Sequence, residues 1–145
     1  MRRFLFDTAV FVYARGRPHE LREPCAAIVA GQVAGRLAGE ASVAMLHEYA
    51  HQRFRQTRDR WDAVRMASDL AAICRLHPVA EADAVRALEL YEAHAALGST
   101  DAVFAASALN RDIDAILSPD RGFDGIPGLE RIDPLDAAAV AALGR

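Results

Sequence analysis

Short apolar runs alternate along the 145-residue chain with longer stretches in which apolar residues recur at helical spacing. Arg3–Phe6 is such a run and is closed by Asp7, which predicts a buried strand ending at this acid. The same reasoning predicts two further strands and a final edge strand, which are Ala41–Ala44, Ala115–Leu117 and a stretch within Ile126–Ile132. The turn sequence Ser118–Gly122 directly follows the predicted strand Ala115–Leu117.

The segments between the strands carry the three- and four-residue periodicity of amphipathic helices. Helices are predicted from about Glu20 to Leu37 with Gly39 as a stop, around Met45–Phe54, over Arg60–Cys74, over Ala82–Leu97, and from Ser99 onward, with a terminal helix in the tail 133–145. Strands that alternate with helices indicate a three-layer α/β/α sandwich around a short, mostly parallel sheet. We expect one domain over residues 1–145, in which 133–145 form the strand exit and last helix.

Composition narrows the cellular setting and the chemistry. No apolar run approaches the roughly 20 residues of a membrane span, and Asp7 interrupts any signal-peptide core after Met1-Arg2-Arg3, so we expect a cytoplasmic protein. Cys25 and Cys74 lie far apart without a metal-binding pattern, which favours reduced, buried thiols. The net charge of −3 argues against a protein that simply coats a polyanion.

Four acids occupy positions that the predicted topology brings to one edge of the sheet. Asp7 ends the first strand, Glu48 lies just past the second, Asp120 lies just past the third, and Asp101 opens the helix that leads into the third. Ligands of open parallel sheets bind outside the carboxyl ends of the strands. Because clustered carboxylates repel one another, a hard divalent cation is the natural partner, and oxygen-only ligands favour Mg²⁺ or Mn²⁺. These ions catalyse phosphodiester hydrolysis.

Each acid taken alone also has an ordinary structural explanation. Asp7 suits a helix N-cap, Asp101 a first-turn position favoured by the helix dipole, and Asp120 a turn. Glu48 suits a solvated helix face. The joint interpretation rests on position, because all four fall where this fold class places a shared crevice.

Four segments resemble the PIN-domain family, particularly the VapC-type toxins, over nearly the whole chain. They are Phe4–Ala14, Ser42–Glu48, Thr100–Ala108 and Leu117–Phe123, and their order and spacing match the family. The resemblance implies that Asp7, Glu48, Asp101 and Asp120 are both the catalytic and the metal-binding acids, with Thr8 and Ser118 as supporting polar residues. Ala9 departs from the family, which often has asparagine there.

The resemblance further implies a Mg²⁺- or Mn²⁺-dependent endoribonuclease that acts as the toxin of a toxin–antitoxin pair. The implied partners are an RNA substrate and a small antitoxin protein, and the implied assembly is a homodimer. A catalytically silent PIN-like module that binds RNA or protein is a second interpretation.

Two other patterns leave alternatives open. His47-Glu48-Tyr49-Ala50-His51 matches HExxH, the motif of zinc metalloproteases, but no third ligand is evident, and the aspartates stay unexplained. The five arginines between Arg53 and Arg65 are interleaved with Phe54 and Trp61. This arginine cluster is either a solvated helix face or a surface facing RNA or a partner.

Overall fold

Five strands form a single, entirely parallel sheet in the computed structural model, which describes all 145 residues. The sheet order is β3-β2-β1-β4-β5, and the strands are β1 (Arg3–Phe6), β2 (Ala38–Ser42), β3 (Arg75–His77), β4 (Ala115–Leu117) and β5 (Glu130–Ile132). In the central pairing, Leu5 of β1 is in register with Glu40 of β2 and Ile116 of β4. The carboxyl ends of β1, β2 and β4 therefore lie at the same edge.

Seven α-helices connect and flank these strands. They are α1 (Thr8–Ala14), α2 (Arg22–Val33), α3 (Val43–Thr57), α4 (Arg60–Ile73), α5 (Glu81–Ala93), α6 (Ser99–Leu109) and α7 (Ala137–Leu143). Helices α1 to α4 pack among themselves and α5 packs on α6. Right-handed crossovers between parallel strands would place these two groups on opposite faces of the sheet. The predicted three-layer α/β/α sandwich is confirmed, and no helix has the length and apolar character needed to cross a membrane.

The second strand lies earlier than its apolar pattern predicts. It runs over Ala38–Ser42 instead of Ala41–Ala44, because the Ser42 hydroxyl accepts a hydrogen bond from the Ala44 backbone N–H at 3.2 Å and caps α3. Gly39 lies within this strand, so the prediction that it stops a helix is wrong. A Cβ at Gly39 would collide with the ring of Phe6, which explains glycine here by packing.

The edge strand β3 was not predicted, since Arg75–His77 has only three residues and no apolar run. Helix α2 is also shorter than predicted and ends at Val33. The helix over Arg60–Ile73 and the edge strand β5 match their predictions within a few residues.

One cluster of 30 buried hydrophobic residues forms the core between the sheet and its helices. Phe4, Phe6 and Phe11 stack edge to face or tilted within it, with ring centroids 4.8 to 4.9 Å apart. Cys25 and Cys74 are buried and unpaired, as predicted, and burial raises the pKa of each thiol to about 12.

Candidate metal centre

The four acids identified from the sequence line one pocket at the carboxyl edge of the sheet. Asp7 follows β1 directly, Glu48 lies in the second turn of α3, and Asp101 lies in the first turn of α6. Asp120 caps the 3₁₀ turn Arg121–Phe123 that follows β4. The pocket has a volume of about 490 Å³ and brings together residues from four separate parts of the chain.

Asp7 is the most deeply placed of these acids and keeps only 4% of its surface exposed. It occupies the N-cap position of α1, yet its side chain makes no capping hydrogen bond. Its Oδ2 atom instead accepts a hydrogen bond of 2.6 Å from the hydroxyl of Ser118, 111 residues away. A simple helix-cap role therefore does not explain Asp7, because its carboxylate is bonded to Ser118, the residue that follows β4.

Glu48 is positioned by the residue that follows Asp7. The hydroxyl of Thr8 donates a hydrogen bond of 2.6 Å to Glu48 Oε2, which links the start of α1 to α3. Thr8 is itself buried, so this contact is protected from competing water. The contact fixes one carboxylate oxygen of Glu48 at the pocket.

Asp120 is held by the backbone of its own turn. The backbone N–H of Asp120 donates to Ser118 Oγ at 3.0 Å, and Asp120 Oδ1 accepts from the Gly122 N–H at 2.8 Å. A Cβ at position 122 would lie 2.6 Å from the backbone oxygen of Ala96 and 3.1 Å from Asp120 Oδ1. Glycine is therefore required at 122 for the chain to pass close to Ala96.

The pocket acids are electrostatically unsatisfied in the absence of a cation. Burial and then repulsion from Asp7, Asp120 and Glu48 raise the pKa of Asp101 to about 7, and a hydrogen bond to Asp120 also favours its protonated form. Burial raises the pKa of Asp7 to about 6, although the hydrogen bond from Ser118 opposes that rise. Both carboxyl groups thus retain protons well above their ordinary range.

Buried acids elsewhere in the chain are paired with arginine. Glu40 contacts Arg3 Nε at 2.6 Å and His77 Nε2 at 2.7 Å, and these partners outweigh burial and lower the pKa of Glu40. Asp83 contacts Arg111 at 2.9 Å, and its pKa falls to about 2 because this pairing outweighs the cost of burial. None of the four pocket acids has such an ion pair. The pocket therefore has the oxygen donors of a cation site, and no basic side chain neutralises its negative charge.

The carboxylates are not closed around a single point as they stand. No three Asp, Glu, His or Cys side chains in the structure are grouped so that they could hold one ion. The donor chemistry nevertheless suits a hard cation, because the four acids offer only oxygen atoms and a cation would favour the ionised forms of Asp7 and Asp101, whose pKa values are raised.

The HExxH alternative lacks structural support. His47 and His51 are exposed on α3 and neither lines the pocket, whereas Glu48 points into it and accepts its hydrogen bond from Thr8. The two histidines and the glutamate of the motif therefore lie on different faces of α3. No further ligand completes a zinc site around the two histidines.

The other side chains that line the pocket were missed by sequence reasoning. They come from α1, from the following loop and from α3, and they include Ala9, Val12, Tyr13, Leu21 and Gln52. Gln52 lies one helical turn after Glu48, and this i, i+4 spacing is the signal that could have identified it. The pocket thus combines four acids with four apolar side chains.

Comparison with known proteins identifies the family. The model of the PIN domain matches residues 4–129, which includes all four pocket acids. The chain belongs to the PIN-domain family. This PIN domain is also 35% identical, over 142 residues and 97% of each chain, to ribonuclease VapC7 of Mycobacterium tuberculosis.

Solved structures agree with this assignment at the level of the fold. The PIN domain is similar to a chain in the structure of VapBC2 from Rickettsia felis bound to a DNA fragment from their promoter, with a TM-score of 0.67, 14% identity and coverage of 90% of this chain and 98% of that chain. A chain of a toxin–antitoxin complex from Klebsiella pneumoniae gives a TM-score of 0.66 at 17% identity, with coverage of 90% and 97%.

Proposed function

We propose that this PIN domain is a metal-dependent endoribonuclease and the toxin of a toxin–antitoxin pair. The observation that carries the proposal is the convergence of Asp7, Glu48, Asp101 and Asp120 on one pocket without any cationic partner. The 35% identity to ribonuclease VapC7 over 97% of the chain supports RNA as the substrate.

In this proposal the four acids hold Mg²⁺ or Mn²⁺ and are the catalytic residues. Such an ion supplies positive charge at the scissile phosphate and lowers the pKa of bound water. Because the carboxylates do not form a closed ligand set in the structure, binding requires the side chains to move closer together. Binding also requires the release of the proton that Asp101 retains up to about pH 7 and that Asp7 retains up to about pH 6.

The remaining polar residues act by positioning the acids. Ser118 holds Asp7 through its hydroxyl and the Asp120 backbone through its lone pair, so one buried side chain sets the spacing of two acids. Thr8 orients Glu48 in the same way. The apolar side chains of the pocket, which include Val12, Tyr13 and Leu21, offer a surface for the sugar or base next to the scissile phosphate.

The proposed partners are a small antitoxin protein and a second copy of the chain. The antitoxin is supported by similarity to chains solved in toxin–antitoxin complexes, which include one from Klebsiella pneumoniae and the VapBC complex of Salmonella typhimurium. The homodimer and a cytoplasmic location remain predictions from the sequence.

Expression in a bacterial host, followed by sequencing of RNA 5′ ends, tests the proposal. The wild-type chain should arrest growth and produce new 5′ ends at defined sites, whereas Asp101→Asn should do neither at equal protein levels. Asp69→Asn is the matched control, because Asp69 is exposed on α4 outside the pocket. Growth arrest by the wild type without new 5′ ends would instead identify a catalytically silent binding module.

A further inference from the structure

The acidic pocket cannot by itself attract a polyanion. Four of its lining residues are carboxylic acids and none is a lysine, arginine or histidine. An RNA strand that reaches this pocket must therefore gain its binding energy from basic groups outside it, because phosphate contacts supply most non-specific affinity for nucleic acids. The need for such a surface rests on the proposed function.

A basic surface lies beyond the pocket along α3. Glu48 and Gln52 line the pocket, and Arg55 follows on the same helical face, about 10 Å beyond Glu48 along the helix axis. The end of α3 is fixed to the end of α1 by a hydrogen bond of 3.1 Å from Arg53 to the Arg15 carbonyl. The turn between α3 and α4 begins at Arg58, about 15 Å beyond Glu48 along the axis of α3.

Two arginines of this turn share one aromatic ring. The guanidinium carbons of Arg58 and Arg60 lie 5.7 Å and 5.3 Å from the ring centroid of Phe54. Neither arginine has a carboxylate partner within 4.0 Å, although Asp59 stands between them, because the Asp59 side chain caps α4 at the Asp62 N–H. Two like charges gathered on one ring without a counter-ion form a ready site for an anion.

The backbone at Arg58 is strained in a way that favours glycine. Arg58 has a φ of 58° and ends α3 in the left-handed conformation, where a residue with a Cβ is disfavoured. Its side chain is exposed and stacks on Phe54. Arginine at this position therefore lowers local stability and places an exposed guanidinium over the Phe54 ring.

We infer that Arg58 and Arg60 bind phosphates of the RNA a few nucleotides away from the cleaved bond, with Arg55 between them and the pocket along α3. The exposed side chain of Trp61, which follows Arg60 in the chain, is available to stack on an unpaired base. RNA fits better than an acidic peptide because stacked guanidinium groups alternate here with aromatic rings.

Fluorescence anisotropy with a labelled 12-nucleotide oligouridylate tests the inference, with every protein carrying Asp101→Asn to prevent cleavage. The double variant Arg58→Gln/Arg60→Gln should bind roughly tenfold more weakly at 0.1 M salt, and the slope of log K against log salt should fall by about 1.4. The control Arg36→Gln/Arg145→Gln removes the same charge from exposed residues, with Arg36 just before β2 at the opposite edge of the sheet, and should bind as before.

Arg58→Gly separates binding from folding. Because glycine relieves the left-handed backbone, this variant should melt about 2 to 4 °C higher while it binds the oligouridylate more weakly. Equal binding by the two double variants would overturn the inference. The inference would also be overturned if Arg58→Gln/Arg60→Gln still bound the oligouridylate but no longer bound a 12-residue polyglutamate. That result would assign the surface to an acidic protein. A wild-type chain that binds RNA through these arginines yet never cleaves it would refute the proposed function alone.

Discussion

Replacing Asp101 by asparagine should stabilise the metal-free protein while abolishing its activity. The substitution nearly preserves the shape of the side chain and removes one charge from a pocket of four acids. An acid whose folded pKa is raised binds its proton more tightly in the folded state than in the unfolded state. The stability of the wild type therefore falls as pH rises from the unfolded pKa of 3.8 to the folded pKa of about 7.

The expected gain in unfolding free energy follows from the raised pKa of Asp101, reduced by solvent screening and by the loss of a favourable interaction with the helix dipole. A rise from 3.8 to about 7 corresponds to about 4 kcal/mol above pH 7. Asp101 is only partly buried, so solvent screens the repulsion and reduces that value to about 2 kcal/mol. The charge also interacts favourably with the start of α6, worth about 0.5 kcal/mol, which asparagine loses. A net stabilisation of about 1 to 2 kcal/mol is expected at pH 8 and should vanish toward pH 4.

Thermal melts in EDTA and in millimolar Mg²⁺ measure this effect. At pH 8 without metal, Asp101→Asn should melt about 3 to 6 °C higher than the wild type. Mg²⁺ should raise the melting temperature of the wild type more than that of the variant, since an ion that binds only the folded state stabilises by mass action. Asp69→Asn should show neither effect. If Asp101→Asn is destabilised without metal and Mg²⁺ shifts both melts equally, Asp101 is a structural helix-start residue.

Three further substitutions test neighbouring parts of the account. Gly122→Ala should lose about 1 to 3 kcal/mol of stability and most RNA cleavage, because the added Cβ would meet the Ala96 oxygen at 2.6 Å; unchanged melting and cleavage would contradict the close approach. Ser118→Ala removes the hydrogen bond that lowers the pKa of Asp7, so the acidic limb of the pH–rate profile should move to higher pH, and an unmoved limb would show that Ser118 does not act on Asp7. His47→Ala should leave cleavage intact, since His47 is exposed outside the pocket; its loss together with zinc-restored activity would favour the HExxH site.

The placement of the four acids at one edge of the sheet could be predicted from the sequence because strand ends carry their own signal. Asp7 directly follows an apolar run and Asp120 follows another after two residues, and a parallel sheet brings such positions together whatever the rest of the packing. The start of α6 at Ser99 is marked by the preceding glycine, so Asp101 could be placed in its first turn.

Features that depend on distant partners could not be predicted in this way. Glu40 lies in β2 and finds Arg3 and His77 on the two neighbouring strands, a contact that needs the strand register. Strand β3 has only three residues, which is too short for a periodic pattern to reveal. It is defined by its backbone pairing with β2, which satisfies the hydrogen-bonding groups at that edge. Tyr13 joins the pocket wall only through the packing of α1 beside the loop that carries Leu21.

Cleavage of RNA by the purified protein, with Asp7→Asn beside the wild type, tests the metal centre most directly. Asp7 is the most buried of the four acids, and its carboxylate lies beside Glu48 and Asp120. The wild type should cleave RNA with Mg²⁺ or Mn²⁺, stop in EDTA and recover when the ion is restored, whereas Asp7→Asn should stay inactive with either ion. Cleavage that continues in EDTA, or that Asp7→Asn retains at the wild-type rate, would contradict the assignment of this pocket as a metal-dependent nuclease site.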